Sequence, residues 1–415
     1  MVETTNTTVN TTWQPATPGT YEITADVRDT FGRTAMQQIT ITVNPPGPAQ
    51  ISGRVVDRNS VAIEDVQLEL RNYPGEENVI ATVLTDANGN YAIPNVTTFQ
   101  SYILRASKLN YAFSPQRRIF LNLSASQSNA DYTGTIQVQP ADFDGDGESD
   151  LAVWRPSSGV WHVTRSNDQS YTSSQFGGGQ FGDIVVPGNY DGDKRTDQAV
   201  FRNGVWYIRN SSNGAVRIDQ FGLPGDKPVQ GDYDGDGKTD LAVWRESNNV
   251  WYVLRSSDGG FTAYQFGSAG DHAMTGDYDG DGKFDYSIYR PSTGTWYVLQ
   301  SSNGEVFIAR FGLESDTPIV GDFDGDKRAD ISVYRPSTGA WYYLYSSDGS
   351  FGYRVWGLAS DKPVPGDYDR DGKTDVAVFR ESDGNWYVLL SGSGSFTIQH
   401  FGTAGDVPIP AAYIR

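Results

Sequence analysis

A chain of 415 residues has room for two or three domains, and 37% hydrophobic with 13% aromatic side chains is a composition that buries cores. Its formal charge of −19, from 51 acidic against 32 basic side chains, argues against nucleic acid and anionic membrane as partners and makes free cations the natural counterpart. With no cysteine, disulfides, thiolate metal sites and thiol nucleophiles are excluded, and any metal must be held by oxygen or by the 3 histidines.

No run approaches the roughly 18 apolar residues that span a bilayer, so no membrane span is expected. The opening MVETTNTTVNTTW lacks the basic start and apolar middle of a signal peptide; if the protein is exported, its leader has been lost or stands elsewhere. Up to residue 44 the stretch GTYEITADVRDTFGRTAMQQITITVN alternates apolar and polar positions around a DTFGR turn, which predicts β structure with room for about three strands. This segment resembles the C-terminal half of a bacterial Ig-like domain, and a half domain implies a piece of a longer protein. A disordered tail with one hairpin is the plainer alternative.

Pro45, Pro46 and Pro48 cannot donate to a β-ladder, so residues 45–50 read as a stiff linker. Residues 51–134 hold short strand patterns, ISGRVVD, VQLELRN, ATVLTDANGNYAIPNV, SYILRASKLNYAFSPQ and RIFLNLS. With Gly53, Val55, Asp57, Thr85, Asp86, Gly89 and Tyr91 this segment is similar to the carboxypeptidase-regulatory-like (prealbumin-like) family. The resemblance implies a β-sandwich that serves as a spacer.

From residue 135 to 415 the chain repeats. Trp161, Trp206, Trp251, Trp296, Trp341 and Trp386 stand 45 residues apart, as do Phe176, Phe221, Phe266, Phe311, Trp356 and Phe401. A period near 45 without helical periodicity is the length of a four-stranded propeller blade. The fold class is therefore all-β, with a six-bladed propeller as the expected architecture. The final DVPIPAAYI matches the first strand of a unit, and either closes the ring on the first blade or begins a truncated seventh.

Each unit carries an acidic loop with oxygen-bearing residues at positions 1, 3, 5 and 9, usually with glycine at 4 and 6. The first has Asp142, Asp144, Asp146 and Asp150; the second Asn189, Asp191, Asp193 and Asp197; the third Asp232, Asp234, Asp236 and Asp240. The fourth has Asp277, Asp279, Asp281 and Asp285; the fifth Asp322, Asp324, Asp326 and Asp330; the sixth Asp367, Asp369, Asp371 and Asp375. Position 7 varies (Glu148, Arg195, Lys238, Lys283, Arg328, Lys373), so there only the backbone carbonyl is a consistent ligand. Hard oxygen donors on a glycine-bearing turn suit Ca²⁺, about one ion per blade and up to six. An EF-hand needs a bidentate Glu at position 12, where these loops have Val153, Val200, Val243, Ile288, Val333 and Val378. The plain alternative is that the aspartates only form Asx-turns, but 23 of them in six loops would repel one another strongly without cations. The loops from Asn189 and Asp322 are the weaker candidates, with Lys194 and Lys327 in place of the second glycine.

With FG and the acidic loop both in place, the repeats resemble the FG-GAP/VCBS family, the calcium-bearing blades also found in integrin α heads, over about 280 residues. No GAP tripeptide follows the second strand, where WRPSSG and YRPSTG stand instead. Structural calcium in such sites is saturated by millimolar extracellular Ca²⁺, which implies an extracellular or cell-surface location.

Trp154/Arg155, Phe201/Arg202, Trp244/Arg245, Tyr289/Arg290, Tyr334/Arg335 and Phe379/Arg380 recur in every unit and read as packing pairs, with sugar platforms the alternative. His162, His272 and His400 occupy non-equivalent positions and no nucleophile motif is present, so no catalytic residue is expected. The expected protein is a monomeric, non-enzymatic binding or adhesion module that takes an unknown protein or glycan. A propeller lectin and a polysaccharide-active hydrolase or lyase are the alternatives.

Overall fold

A computed structural model of the protein describes residues 19–28, 31–43, 47–57, 60–75, 78–108, 111–136 and 140–410. The tail before residue 19, the linker prolines Pro45 and Pro46 and the last five residues lie outside these. Before the linker, the alternating pattern folds as one antiparallel hairpin, Gly19–Arg28 against Thr34–Val43; two strands are described where about three were expected. Contacts divide the chain into two compact units, one over most of the chain up to Thr133 and one from Gly134 onward.

The segment after the linker forms two four-stranded sheets. One runs Asn90–Val96, Ala49–Asp57, Tyr132–Ile136, Tyr111–Ser114; the other runs Val79–Leu84, Gln67–Asn72, Tyr102–Ser107, Arg118–Phe120. The strand Tyr132–Ile136 is an addition to the expected patterns. The family signature proves architectural. Tyr91 donates its hydroxyl to Ala130 O at 2.5 Å, and a Cβ on Gly53 would meet that same carbonyl. Asp86 accepts the Asn88 and Asn90 amides at 2.9 and 2.8 Å and so shapes the turn.

From Leu151 onward the 45-residue repeat folds as six four-stranded antiparallel sheets. The third sheet is typical: Lys227–Pro228, Leu241–Arg245, Val250–Leu254 and Phe261–Gln265 in spatial order. Burial falls outward along it. LAVWR is buried on both faces except at its final Arg245, VWYVL alternates, and FTAYQ is exposed or half-exposed throughout. Apolar side chains therefore pack sheet against sheet, in six core clusters. One joins Phe201 and Trp206 to Leu241 and Val243 of the next sheet, and another joins Phe379 and Trp386 back to Val153 of the first.

The final strand, Val407–Pro408, pairs with Leu151–Arg155 (Val153↔Pro408, Trp154↔Val407) and completes the first sheet. Among the described residues there are accordingly six blades and no seventh, and the ring closes by joining the strand after the sixth repeat to the first blade. Among the same residues the only helix is the single turn Gly179–Phe181, and none is long and apolar enough to cross a membrane.

Candidate metal centre

In blades two to six the acidic loop joins the innermost strand to the second; in the first blade it leads into the second strand, Leu151–Arg155, and the innermost strand comes from Val407–Pro408. Loop three shows how the sequence folds there. Asp232 accepts Gly235 N on Oδ1 (2.6 Å) and Gly237 N on Oδ2 (2.8 Å), Asp236 accepts Lys238 N (2.9 Å), and Asp240 accepts Tyr233 N (2.9 Å). The Asx-turns of the plain alternative are thus present. Oxygens that accept a single amide, such as Asp232 Oδ2, keep a further lone pair, so capping the turn does not exclude coordination.

The backbone holds the left-handed conformation even where glycine is replaced. Lys194 (φ 73°), Lys327 (φ 69°) and Arg370 (φ 60°) adopt it in loops two, five and six. The loops that are weaker by composition therefore keep the same turn. Position 12 is buried within the second strand in all six units, in keeping with the failed EF-hand match.

Oxygens of Asp142, Asp144 and Asp146 lie within 4.8 Å of one another, as do those of Asp191, Asp193 and Asp197. The same holds for Asp232, Asp234 and Asp240, for Asp277, Asp279 and Asp285, and for Asp322, Asp324 and Asp330. Position 5 stands apart in loops three to five, and in loop three it turns toward a serine that the ligand pattern does not include. Ser256 Oγ lies 3.0 and 2.9 Å from the two oxygens of Asp236, Ser256 N donates to Asp240 Oδ1 (2.7 Å), and Ser257 Oγ donates to Asp234 Oδ2 (2.6 Å). A signal for it exists in the sequence: Ser166, Ser211, Ser256, Ser301, Ser346 and Ser391 also recur every 45 residues. The position 7 side chains differ in where they lie. Arg328 pairs with Asp326 (2.6 Å), while Lys238 and Lys373 lie against Gly192 and Gly325 of the preceding loops.

Burial pushes these carboxyl groups up. Asp232 is raised to about 8, Asp150, Asp240, Asp277, Asp285, Asp330 and Asp375 to about 7, and Asp142, Asp197, Asp322 and Asp367 to about 6. Desolvation is the leading cause in each, with neighbouring aspartates adding to it. Loop six contains the clearest unmet need. Asp367 is 2% exposed, its Oδ2 accepts Gly372 N (2.9 Å), and its buried Oδ1 has only a weak approach from the Arg370 amide, whose counterpart amides in loops one, three, four and five bond at 2.6 Å. A hard cation would satisfy that oxygen and offset the crowded charge, and an all-oxygen, flexible donor set fits Ca²⁺.

The loops are also tied to one another. The amide at position 8 donates to the carbonyl of position 1 in the preceding loop: Thr196→Asp142 (2.6 Å), Thr239→Asn189 (2.8 Å), Phe284→Asp232 (2.7 Å), Ala329→Asp277 (2.7 Å), Thr374→Asp322 (2.6 Å) and, across the closure, Ser149→Asp367 (2.6 Å). This ring surrounds a cavity of about 240 Å³, lined at positions that break the repeat by Pro187, Gln230, Thr275, Val320 and Pro365.

The remaining repeated motifs are architectural. The six aromatic residues preceding the arginines are at most 3% exposed. Each arginine forms an ion pair with a buried aspartate, for example Arg245 with Asp226 (2.8 Å) and Arg155 with Asp406 (2.8 Å). Arg202, Arg245, Arg290, Arg335 and Arg380 also stack on a tyrosine. The two aromatic series meet in one bond, since Trp251 Nε1 donates to Phe266 O (3.1 Å) and Trp386 Nε1 to Phe401 O (2.7 Å). Packing, not sugar stacking, explains them.

Fold and loops together define a class: a six-bladed β-propeller with an acidic oxygen cluster on its blades, preceded in the chain by a β-sandwich. Residues 232–288 and 322–378 match the FG-GAP-like repeat, and residues 50–133 match the carboxypeptidase regulatory-like domain. A chitinase of Flavobacterium johnsoniae is 32% identical over 117 residues, which is 28% of this chain and 7% of that protein. Among solved structures, virginiamycin B lyase from Staphylococcus aureus covers 66% of this chain and 96% of its own at 9% identity, with a TM-score of 0.41. TolB from Acinetobacter baumannii covers 63% and 66% at 15% identity, with a TM-score of 0.45. The assignment of the fold rests on the sheets, not on these two.

Proposed function

We propose that the protein is an extracellular, non-enzymatic binding module in which Ca²⁺ stabilises the propeller and the β-sandwich is a spacer. The observation that carries the calcium reading is the gathering of three carboxylates within 4.8 Å in each of five equivalent loops, where like charges crowd in partly buried surroundings. Positions 1, 3, 5 and 9 supply side-chain oxygens directly or through water, and position 7 supplies its carbonyl. The bound cation supplies charge neutralisation and turn rigidity. Because the loop acids serve this purpose, they are poorly placed to act as general acid and base as well.

A glycan ligand is favoured over a protein one by the similarity to part of a chitinase; with 7% of that protein matched, its activity is not carried over. Sedimentation of the protein with insoluble chitin and cellulose, and a glycan array, each in calcium and in EGTA, test the reading. Retention without release of soluble sugar is expected, with a melting temperature that falls in EGTA. Release of sugar would overturn the non-enzymatic reading, and a melting temperature unchanged in EGTA would overturn the role of calcium.

A further inference from the structure

We propose that the six loops take up calcium cooperatively, as one ring rather than as six independent sites. This rests on the calcium reading above. The observation that carries it is the closed circuit of backbone bonds, each 2.6 to 2.8 Å, from position 8 of one loop to position 1 of the loop before. Both ends belong to candidate ligand segments: position 1 carries a side-chain oxygen, and position 8 precedes the aspartate at position 9. An ion that fixes Asp277 in loop four fixes its carbonyl too. That carbonyl holds the Ala329 amide and so places Asp330 for the ion of loop five. Without an ion, repulsion among the crowded carboxylates loosens a loop's bonds to both neighbours.

The first ion therefore bears the cost of ordering adjacent loops, and later ions bear less, which is positive cooperativity without a change of fold. Because the circuit crosses from loop one to loop six through Ser149 and Asp367, no site is terminal.

Two departures from the repeat strengthen the same circuit. Asn189 gives up a carboxylate, but its Nδ2 donates to Gly237 O of the next loop (3.0 Å). Lys327 gives up a glycine, but its Nζ donates to Gly372 O of the next loop (2.7 Å). The two loops of poorest ligand composition thus each gain a side-chain bond to a neighbour. The sites least able to hold an ion alone would be loaded through the ring.

Equilibrium dialysis of the full chain against radioactive calcium tests this, together with the variant Asp277→Asn/Asp279→Asn and circular dichroism to verify its fold. The expected isotherm is sigmoidal, with a Hill coefficient above about 2, and the variant should lower the affinity of the surviving sites about fivefold or more. A hyperbolic isotherm for several ions, or a variant that loses one ion with the others unchanged, overturns the coupling while leaving the calcium reading intact. Absence of any bound calcium overturns both. If the variant fails to fold, the wild-type isotherm decides alone.

Discussion

At the level of single residues, the arginines that end each second strand are the most consequential side chains outside the acidic loops. Arg245 forms an ion pair with the carboxylate of Asp226, whose side chain is 3% exposed, and it also covers Tyr252 at 4.4 Å. Removing one partner of such a pair leaves a buried charge unsatisfied, which costs more than the pair contributes. Arg245→Ala is expected to destabilise the protein by about 2 kcal/mol, discounted because the arginine is partly exposed. Asp226→Asn/Arg245→Met, which removes both charges, should recover part of that loss in thermal or denaturant unfolding. A single variant as stable as wild type would show the pair to be ornamental. In the metal loop, Asp240→Ala should lower the bound calcium and the melting temperature in calcium together. Unaltered stoichiometry would count against position 9 as a ligand.

At the level of the loop, burial sets the response to pH. The native-state carboxyls of positions 1 and 9 sit at about 6 to 8, above the ordinary value near 4. The folded, metal-free protein then binds more protons than the unfolded chain across that window, so its stability falls as pH rises from about 4 through 8. With calcium the sign reverses, because only the ionised carboxylates coordinate and the affinity grows with pH. Melting temperature measured in EDTA should be lower at pH 8 than at pH 5, and the order should invert in excess calcium. A metal-free protein more stable at pH 8 would mean that the loops open to solvent once the ion leaves. Most of this element is legible in the amino-acid sequence: the 45-residue period, the Asp spacing and the hydrophobic position 12 identify loop, strand and ligand type. Two parts are not. The serines recur with the same period, yet a lone serine in a turn has many uses, and only the fold brings Ser256 to Asp236 from 20 residues away. The inter-loop bonds use backbone amides, which carry no sequence signature at all.

For the molecule as a whole, the partner of Arg155 lies 251 residues along the chain, where no local pattern could reveal it, although DVPIPAAYI already matches a first strand. Closure is built twice. On the strand side, Val407–Pro408 pairs with the first blade, Ile409 N donates to Ala152 O (2.8 Å), and Asp406 grips Arg155 through both oxygens (2.8 and 2.9 Å). On the loop side, Ser149 N donates to Asp367 O, and Arg370 donates to Asp146 O across the same junction. The first closure depends on packing and an ion pair, the second on loops whose order depends on the cation. The two should therefore be separable by experiment. A chain ending at Gly405 loses the strand but keeps every acidic loop. It is expected to remain a folded propeller in millimolar calcium, with a lower melting temperature, and to unfold or aggregate in EDTA. The full chain in EDTA should stay folded on its strand closure. If the truncated chain is equally stable with and without calcium, the ring of loops contributes nothing to closure. If it cannot fold even in calcium, the strand alone closes the molecule.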